Sequence, residues 1–303
     1  MVQAHRIKTV AIVGCTAVGK SAIALDLAER YNGELIGADS MQIYRGFDIG
    51  TGKLTKSECR GITHKLIDVA DGDADFSVGE YVELARTAIK ETADDGKLPI
   101  LVGGTGMYIY SLLSGCDFAS VSKDESVRAA LKTAGHIFGG KMLHDMLSAV
   151  DKDAAEKISR NDVKRTVRAL EIFYLTGAPK SIAVSQNNPP YDCLIIVVTL
   201  PREILYEKIN ARVKAMFDAG LIDEVKNLSR YVGCGSMQAL GYKQIMENPD
   251  MSYDELIDLV SQKTRNYAKR QMTYFKNMKL DKVFIDARDT EKIEQTVMDF
   301  LEK

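Results

Sequence analysis

Residues 14–21 read GCTAVGKS and match the pattern G-x-x-x-x-G-K-[ST], in which a glycine-rich turn joins a strand to a helix. The residues before it, KTVAIV, are apolar and β-branched, as in a buried strand. The residues after it, SAIALDLAERY, have the spacing of an amphipathic helix. A strand before the segment and a helix after it indicate a P-loop, which binds phosphate groups in α/β proteins, more than a chance glycine turn.

Each residue type in this segment has a physical reason. Glycines let successive N–H groups turn toward anionic oxygens, and the start of the helix adds its dipole. Lys20 offers a mobile cation, and the hydroxyl of Ser21 offers a ligand for Mg²⁺. The residues predicted to surround the phosphates are Gly14, Cys15, Thr16, Ala17, Val18, Gly19, Lys20 and Ser21.

Composition excludes several classes of protein. Hydrophobic residues make up 46% and charged residues 27%, as in a folded globular protein. There is no apolar run of roughly 20 residues and no signal-peptide pattern at the start, so we expect a cytoplasmic protein without a membrane segment.

Forty basic and 42 acidic residues nearly balance, and any surface for nucleic acid must therefore be local. The five scattered cysteines suggest neither a disulfide framework nor a zinc site: Cys15, Cys59, Cys116, Cys193 and Cys234.

Short apolar runs alternate with helical patterns along most of the chain. Strands are predicted at 9–13, 34–38, 98–102, 194–200 and 282–285, and helices at 20–31, 78–94, 106–113, 202–219 and 254–277. This alternation predicts an α/β fold like that of P-loop NTPases, a parallel sheet with helices on both faces. Residues 117–189 show helical stretches at 123–134, 140–150 and 162–175 but no convincing strand. We therefore predict a core domain of residues 1–116 and 190–303 with a helical insertion domain at 117–189.

Asp39 follows the second predicted strand and is taken as the one carboxylate at a strand exit. The strand 98–102 leads into glycines and threonine, and the strand 194–200 ends in threonine and proline. The aspartate with which an ordinary P-loop NTPase orients Mg²⁺ is therefore missing. Asp39 could be a general base or a helix cap. The neighbouring Ser40 and Gln42 could read a base edge or could be ordinary polar surface.

Seven blocks of sequence together resemble the tRNA dimethylallyltransferases, also called tRNA isopentenyltransferases. The resemblance spans nearly the whole chain, and the blocks occur in the family's order. They are GCTAVGKS, NGELIGADSMQIYRGFDIGTGK at 32–53, HKLID at 64–68, PILVGGTGMYI at 99–109, RTVRALEIFYLTG at 165–177, ALGYKQ at 239–244 and TRNYAKRQMTYF at 264–275.

The resemblance implies transfer of a dimethylallyl group from dimethylallyl diphosphate to the exocyclic amine of the adenosine beside the anticodon, with Mg²⁺ and release of diphosphate. The P-loop would then hold an isoprenoid diphosphate, with Thr16, Lys20 and Ser21 lining it. Asp39 would take the proton of the amine, Thr105 would contact the target nucleotide, and Arg212 would help to neutralise diphosphate. From the residues alone, Arg212 is better interpreted as a solvated helix arginine.

The chain departs from the family's usual pattern at four positions. Histidine is replaced by Lys65 after His64, tryptophan by Tyr274, a frequent P-loop proline by Cys15, and a glutamine of some members by Lys164. These changes affect details and leave the resemblance intact.

Two segments could grip RNA. Arg160, Lys164 and Arg168 are spaced to share one helix face, which suits phosphate contacts but also an ordinary solvated surface. Near 264–275, cations and tyrosines share a face that could stack an unstacked base or pack on the core. With the family blocks, the residues predicted to bind the tRNA anticodon stem-loop are Asp39, Ser40, Met41, Gln42, Thr105, Lys164, Arg165, Thr166, Val167 and Arg168.

Three rival functions remain open at this point. A P-loop kinase for a small metabolite could use Asp39 as base, an adenylate isopentenyltransferase could modify a free nucleotide, and an ATP-gated module could bind RNA without catalysis. The basic insertion disfavours the free-nucleotide enzyme, and the missing aspartate disfavours both ATP-dependent functions. We expect a monomeric protein.

Overall fold

The computed structural model describes residues 6–115, 124–179 and 191–303. The chain divides into two compact units, Met1–Leu113 with Pro189–Lys303 and Ser114–Asn188, and each is described by itself. The predicted domain boundaries at 116–117 and 189–190, and Cys116, lie outside the described residues. Within the described ranges, no helix is long and apolar enough to cross a bilayer.

The strands and helices follow one another along the chain in the order expected for an α/β protein. The strands are β1 Ile7–Gly14, β2 Gly33–Gly37, β3 His64–Lys65, β4 Leu98–Gly103, β5 Tyr191–Thr199 and β6 Val283–Asp286. The α-helices are α1 Lys20–Arg30, α2 Val78–Asp94, α3 Gly106–Leu113, α4 Glu125–Phe138, α5 Gly140–Val150, α6 Lys152–Lys157, α7 Val163–Thr176, α8 Arg202–Asp218, α9 Leu221–Asn227, α10 Tyr242–Glu247, α11 Tyr253–Asn277 and α12 Thr290–Leu301.

The six strands in the described residues form one sheet in the order β3-β2-β4-β1-β5-β6, and every neighbouring pair is parallel. The carboxyl ends of the strands therefore meet at one edge, where folds of this kind bind ligands. The predicted parallel α/β sheet is confirmed. One detail is wrong: β6 also ends in a carboxylate, Asp286, which pairs with Arg288 at the far edge of the sheet.

Helices cover both faces of the sheet because every central strand is buried on both sides. In β1, Val10 and Ile12 belong to a core shared with α1, α8 and α12, whereas Ala11 and Val13 face a second core shared with α2 and α3. Helix α11 contributes to the first core near its start and to the second core near its end. This helix thus passes the carboxyl edge of the sheet on its way.

The second unit is helical in its described residues. Helices α4 to α7 enclose a small core of leucine, alanine, isoleucine and valine side chains. Glu171 is fully buried and accepts hydrogen bonds from the backbone N–H of Asp124 and from Arg128 and Arg168, with distances of 2.7–2.9 Å. Burial alone would raise the pKa of Glu171, but these donors hold it below the usual value. The carboxylate thereby joins α4 to α7.

Candidate active site

A cavity of about 260 Å³ lies in the first unit, where β1, β2 and β4 end. Helices α8 and α11 and the loops around residues 50–52 and 238–241 complete its wall. The polar side chains that line it include Thr16, Lys20, Ser21, Asp39, Ser40, Gln42, Arg212, Tyr267, Arg270 and Gln271. Apolar wall comes from Ile209, Val213, Met216, Leu240 and Val260.

The P-loop needs glycine at two positions. Gly14 has a φ of 152°, and a Cβ there would lie 2.6 Å from the carbonyl oxygen of Val198 on β5. Gly19 caps α1 with a φ of 103°, in the left-handed region. Ala17 also takes a left-handed φ of 63°, which is uncommon for a residue with a side chain. The tight turn predicted from GCTAVGKS is therefore present.

Lys20 is folded back onto the loop that it follows. Its Nζ donates a hydrogen bond of 2.7 Å to the carbonyl oxygen of Cys15. Burial lowers the pKa of Lys20 to about 8, which Arg212 reinforces, while Cys15 and Asp39 oppose the shift. Lys20 therefore shares the cavity with the carboxylate of Asp39 and the guanidinium of Arg212, and an arriving anion would stabilise its charged form.

Ser21 stands in the first turn of α1 and lines the cavity together with Asp39. Both offer hard oxygen atoms, which Mg²⁺ prefers, and Mg²⁺ usually completes its shell with phosphate oxygens and water. Among the described residues there is no group of three or more His, Cys, Asp or Glu side chains that could hold a metal alone. The residues present fit an ion that arrives with a phosphorylated ligand.

Asp39 follows β2 and begins a turn, not a helix, so its interpretation as a helix cap is wrong. Its Oδ1 accepts a hydrogen bond of 2.9 Å from the backbone N–H of Met41. Within the described part of the chain, Oδ2 accepts no hydrogen bond. One oxygen thus fixes the carboxylate, and the other can accept a hydrogen bond from a molecule in the cavity.

Thr105 lies in the turn between β4 and α3 and holds the residues that follow β2. Its Oγ1 accepts a hydrogen bond of 2.9 Å from the N–H of Ser40, and its own N–H donates to the carbonyl of Ala38. Gly103, the last residue of β4, lines the cavity, whereas Thr105 does not. The observed contacts make Thr105 a neighbour of Asp39; its contact with a nucleotide stays a prediction.

Arg212 on α8 is half-buried and lines the cavity, so its interpretation as a solvated arginine is wrong. Its Nη2 donates to the carbonyl oxygen of Thr51 at 3.3 Å. Gly52 has a φ of 62°, and a Cβ there would lie 1.9 Å from the same nitrogen. Burial lowers the pKa of Arg212, and the nearby carboxylate of Asp39 opposes this shift. Because the ordinary pKa of arginine is very high, the side chain stays a cation facing the P-loop.

Helix α11 supplies residues whose roles the sequence left open. The Arg270 guanidinium lies 5.6 Å from the ring centre of Tyr267, and both line the cavity. Burial, aided by Asp39, raises the pKa of Tyr267 to about 12. Tyr274 instead packs against the start of α3, where a Cβ at Gly106 would lie 2.2 Å from its ring. The predicted aromatic face thus divides between the cavity and the core.

Buried Gln271, one turn along from Tyr267, is a site residue that the sequence analysis missed. Its Nε2 donates to the carbonyl of Gly104, and its Oε1 accepts from the N–H of Thr16. The conspicuous block TRNYAKRQMTYF contains it, but that pattern alone did not distinguish a bridging glutamine from surface polarity. One side chain thus joins the P-loop to the turn after β4.

The predicted RNA-binding residues of the insertion take several positions. Helix α7 begins at Val163, so Arg160 lies before it. Of the three cations predicted to share one helix face, only Lys164 and Arg168 are in the helix. Lys164 and Arg165 are exposed, whereas Thr166 and Val167 are buried. Arg168 pairs with Glu171. These residues belong to the second unit, and the residues that line the cavity belong to the first.

Comparisons with known proteins agree on one family. The family model described as IPP transferase matches residues 42–278. A tRNA dimethylallyltransferase of Caldanaerobacter subterraneus is 43% identical over 97% of this chain and 98% of its own length, and one of Bacillus mycoides is 43% identical over 96% and 94%.

Solved structures point the same way. A tRNA isopentenylpyrophosphate transferase from Bacillus halodurans is similar with a TM-score of 0.72 and 40% identity, over 97% of each chain. A eukaryotic dimethylallyltransferase acting on tRNA gives a TM-score of 0.80 at 27% identity, over 94% of this chain and 75% of that one. With a P-loop cavity and relatives above 40% identity along nearly its whole length, the chain belongs to the IPP transferase family.

Proposed function

We propose that this chain is a tRNA dimethylallyltransferase. It transfers the dimethylallyl group of dimethylallyl diphosphate to the N6 amine of the adenosine 3′-adjacent to the anticodon and releases diphosphate. The observation that carries the proposal is that a single cavity combines a P-loop, the carboxylate of Asp39 and the guanidinium of Arg212. The names of the relatives support the same reaction.

The reaction breaks the allylic C–O bond, and the bonding electron pair leaves with the diphosphate. The N6 lone pair forms the new C–N bond, and the N6 proton passes to Oδ2 of Asp39. Negative charge grows on the leaving oxygen, so fixed cations and N–H dipoles stabilise this transition state more than the ground state. Lys20, Arg212 and the P-loop amides would supply these cations and dipoles.

Magnesium fits this proposal through Ser21, whose hydroxyl would hold the ion together with diphosphate oxygens and water. When bound, the ion would neutralise charge on the leaving group.

The target adenine must leave its stack before its amine can reach Asp39. Tyr267 and Arg270 offer an aromatic face and a cation on the cavity wall, which suits a base turned out of a loop. The exposed Lys164 and Arg165 of the insertion would contact tRNA phosphates, which carry most of the affinity in such complexes. With a tRNA substrate, we expect the enzyme to act in the cytoplasm.

The rival kinase function is disfavoured by the strands on either side of the P-loop. β4 ends at Gly103 and β5 at Thr199, so neither neighbour of β1 presents the aspartate with which nucleotide-hydrolysing relatives orient Mg²⁺. Asp286 stands beyond β5 and is engaged by Arg288.

The test is incubation of the protein with unmodified tRNA, Mg²⁺ and dimethylallyl diphosphate labelled in the allyl group. We expect label in the RNA and an equal release of diphosphate, with label in N6-modified adenosine after nuclease digestion. ATP in place of the labelled donor should be turned over at background rate. Robust ATP turnover without transfer of label would establish a phosphoryl-transfer enzyme instead.

A further inference from the structure

Three consecutive backbone amides outside the P-loop share one carboxylate acceptor. The N–H groups of Asp48, Ile49 and Gly50 donate to the carboxylate of Glu224 on α9 at 3.2, 2.8 and 3.1 Å. Hydrogen bonds to a charged acceptor are stronger than neutral ones, and three in a row define the path of the loop. The loop of residues 48–52 is therefore held from outside the cavity.

Tyr242 completes this arrangement from α10. Its hydroxyl donates a 2.5 Å hydrogen bond to Oε1 of Glu224, and a Cβ at Gly50 would lie 2.4 Å from its ring. Burial and the bond to Glu224 both raise the pKa of Tyr242, so the hydroxyl keeps its proton. The loop is thus pressed against the ring while its amides are bound by the carboxylate.

The inner side of the same loop faces the cavity and holds two side chains there. The carbonyl oxygen of Thr51 accepts from Nη2 of Arg212 at 3.3 Å and from Nε2 of Gln42 at 3.0 Å. Gly52 leaves the room that the Arg212 guanidinium occupies. Glu224 therefore connects to Arg212 through a few atoms of loop backbone.

We propose that Glu224, assisted by Tyr242, is a positioning residue that sets the place of Arg212 by fixing the loop of residues 48–52. The inference rests on the proposed function, in which Arg212 meets the diphosphate. Without the carboxylate, the three amides would donate their hydrogen bonds to water instead. Gly50 and Gly52 would then give the loop the freedom to move away from the Arg212 guanidinium.

The test uses Glu224→Gln, which keeps the side-chain shape but leaves only one acceptor oxygen, and Tyr242→Phe, which removes one hydroxyl. The matched control is Asp223→Asn, since Asp223 is the exposed neighbour whose carboxylate pairs with Lys226. Binding of inorganic diphosphate by calorimetry and transfer of labelled dimethylallyl groups to tRNA are measured for each. Thermal unfolding checks that each variant is folded.

We expect Glu224→Gln to weaken diphosphate binding and lower kcat roughly tenfold, with KM for tRNA unchanged. Tyr242→Phe should act in the same direction, more weakly. The loss of one negative charge by itself would favour binding of an anion. The control Asp223→Asn should therefore leave diphosphate binding equal or slightly tighter. In an Arg212→Ala background, Glu224→Gln should change diphosphate binding by less than about twofold, because the two substitutions remove the same interaction.

An equal effect of Glu224→Gln with and without Arg212 would overturn the inference, as would tighter diphosphate binding by Glu224→Gln. Because calorimetry needs no turnover, it decides this question even if no label reaches tRNA. Absence of transfer by the unmodified protein would instead overturn the proposed function.

Discussion

A Cβ at Gly103 would lie 2.1 Å from the carbonyl oxygen of Ala38, closer than any two such atoms can approach. Gly103 ends β4 and Ala38 follows β2, so the backbones of neighbouring strands touch at the edge where the cavity opens. Asp39 directly follows Ala38 in the chain. The position of the proposed base therefore depends on the absence of a side chain on the adjacent strand.

Replacement of this glycine should displace Asp39. We expect Gly103→Ala to lower transfer of the dimethylallyl group by at least about a hundredfold and to destabilise the protein by roughly 1–3 kcal/mol, because backbone must move. Activity and denaturant unfolding provide the measurements. Gly235→Ala is the matched control, since a Cβ there meets nothing within 4 Å and its φ of −60° suits alanine. Equal activity of both variants would contradict the close approach.

The carboxylate of Asp39 can be separated from its structural hydrogen bond. Asp39→Asn keeps an oxygen that can accept the Met41 N–H but cannot take a proton from N6. We expect transfer to fall by roughly 10²–10⁴-fold, the range of general-base contributions, while tRNA affinity changes little. Single-turnover transfer and filter binding measure the two effects. Asp71→Asn, an exposed carboxylate paired with Arg45, is the control. Transfer at the unmodified rate would exclude Asp39 as the base.

Lys20 should make diphosphate binding depend on pH. Burial lowers its pKa from 10.5 to about 8, so between these values the folded, ligand-free protein lacks a proton that the unfolded chain holds. The free energy of unfolding contributed by this group therefore rises with pH across that window. Bound diphosphate favours the charged form, so binding above pH 8 should take up a proton and weaken.

The Lys20→Arg variant separates this titration from other effects, because arginine stays charged throughout. Calorimetry of inorganic diphosphate in two buffers of different ionisation enthalpy, at about pH 7 and about pH 9, measures proton uptake. Titration of diphosphate itself is common to both proteins and cancels in the comparison. Equal proton uptake by both proteins at the higher pH would contradict a lowered lysine pKa.

Arg165 should carry part of the salt dependence of tRNA binding. Its side chain is exposed and its ion pair with Asp162 is long, at 3.4 Å, so it is available to a phosphate. We expect Arg165→Ala to weaken binding and to reduce the slope of log affinity against log salt by about 1. Lys132→Ala, an exposed cation of α4, is the comparison variant. An unchanged slope would show that Arg165 makes no contact with tRNA phosphates.

Gln271 should couple the P-loop to the turn after β4. Gln271→Met keeps the length of the side chain but removes both hydrogen bonds, leaving the Gly104 carbonyl and the Thr16 N–H without this partner. We expect a loss of roughly 1–3 kcal/mol in the free energy of unfolding and weaker diphosphate binding. Gln262→Met, on the exposed side of the same helix, should change neither. Identical stabilities for the two variants would contradict the bridge.

Much of the fold and part of the site could be predicted because they depend on local chemistry. The P-loop glycines take backbone angles that other residues avoid, and the buried parallel strands are continuous apolar runs. Residues next to such strands, Asp39 among them, could therefore be placed at the sheet edge. Strand β3 has only two residues, too few to show a periodic pattern, and was missed.

The remaining site residues depend on contacts between distant parts of the chain. Gln271 meets Thr16 across 255 residues, and Glu224 meets the amide of Gly50 across 174. Their residue types are common on helix surfaces, so the sequence does not mark them. The binding of RNA by Thr166 and Val167 stays a prediction, and the structure shows that both side chains are buried, which the matching block did not indicate. Short helices such as α9 and α10 also lack enough turns for a clear pattern.

Helix α11 runs unbroken for 25 residues, roughly 37 Å, and packs into the core on both faces of the sheet. Its middle residues form one wall of the cavity, so that wall cannot shift without disturbing both cores. Gln271 is buried and Tyr267 half-buried in this wall, so the entropy of ordering these two side chains is lost when the chain folds, and little of it remains to be lost on binding. Substrates of this enzyme enter a pre-organised wall, which leaves more of their binding energy for the transition state.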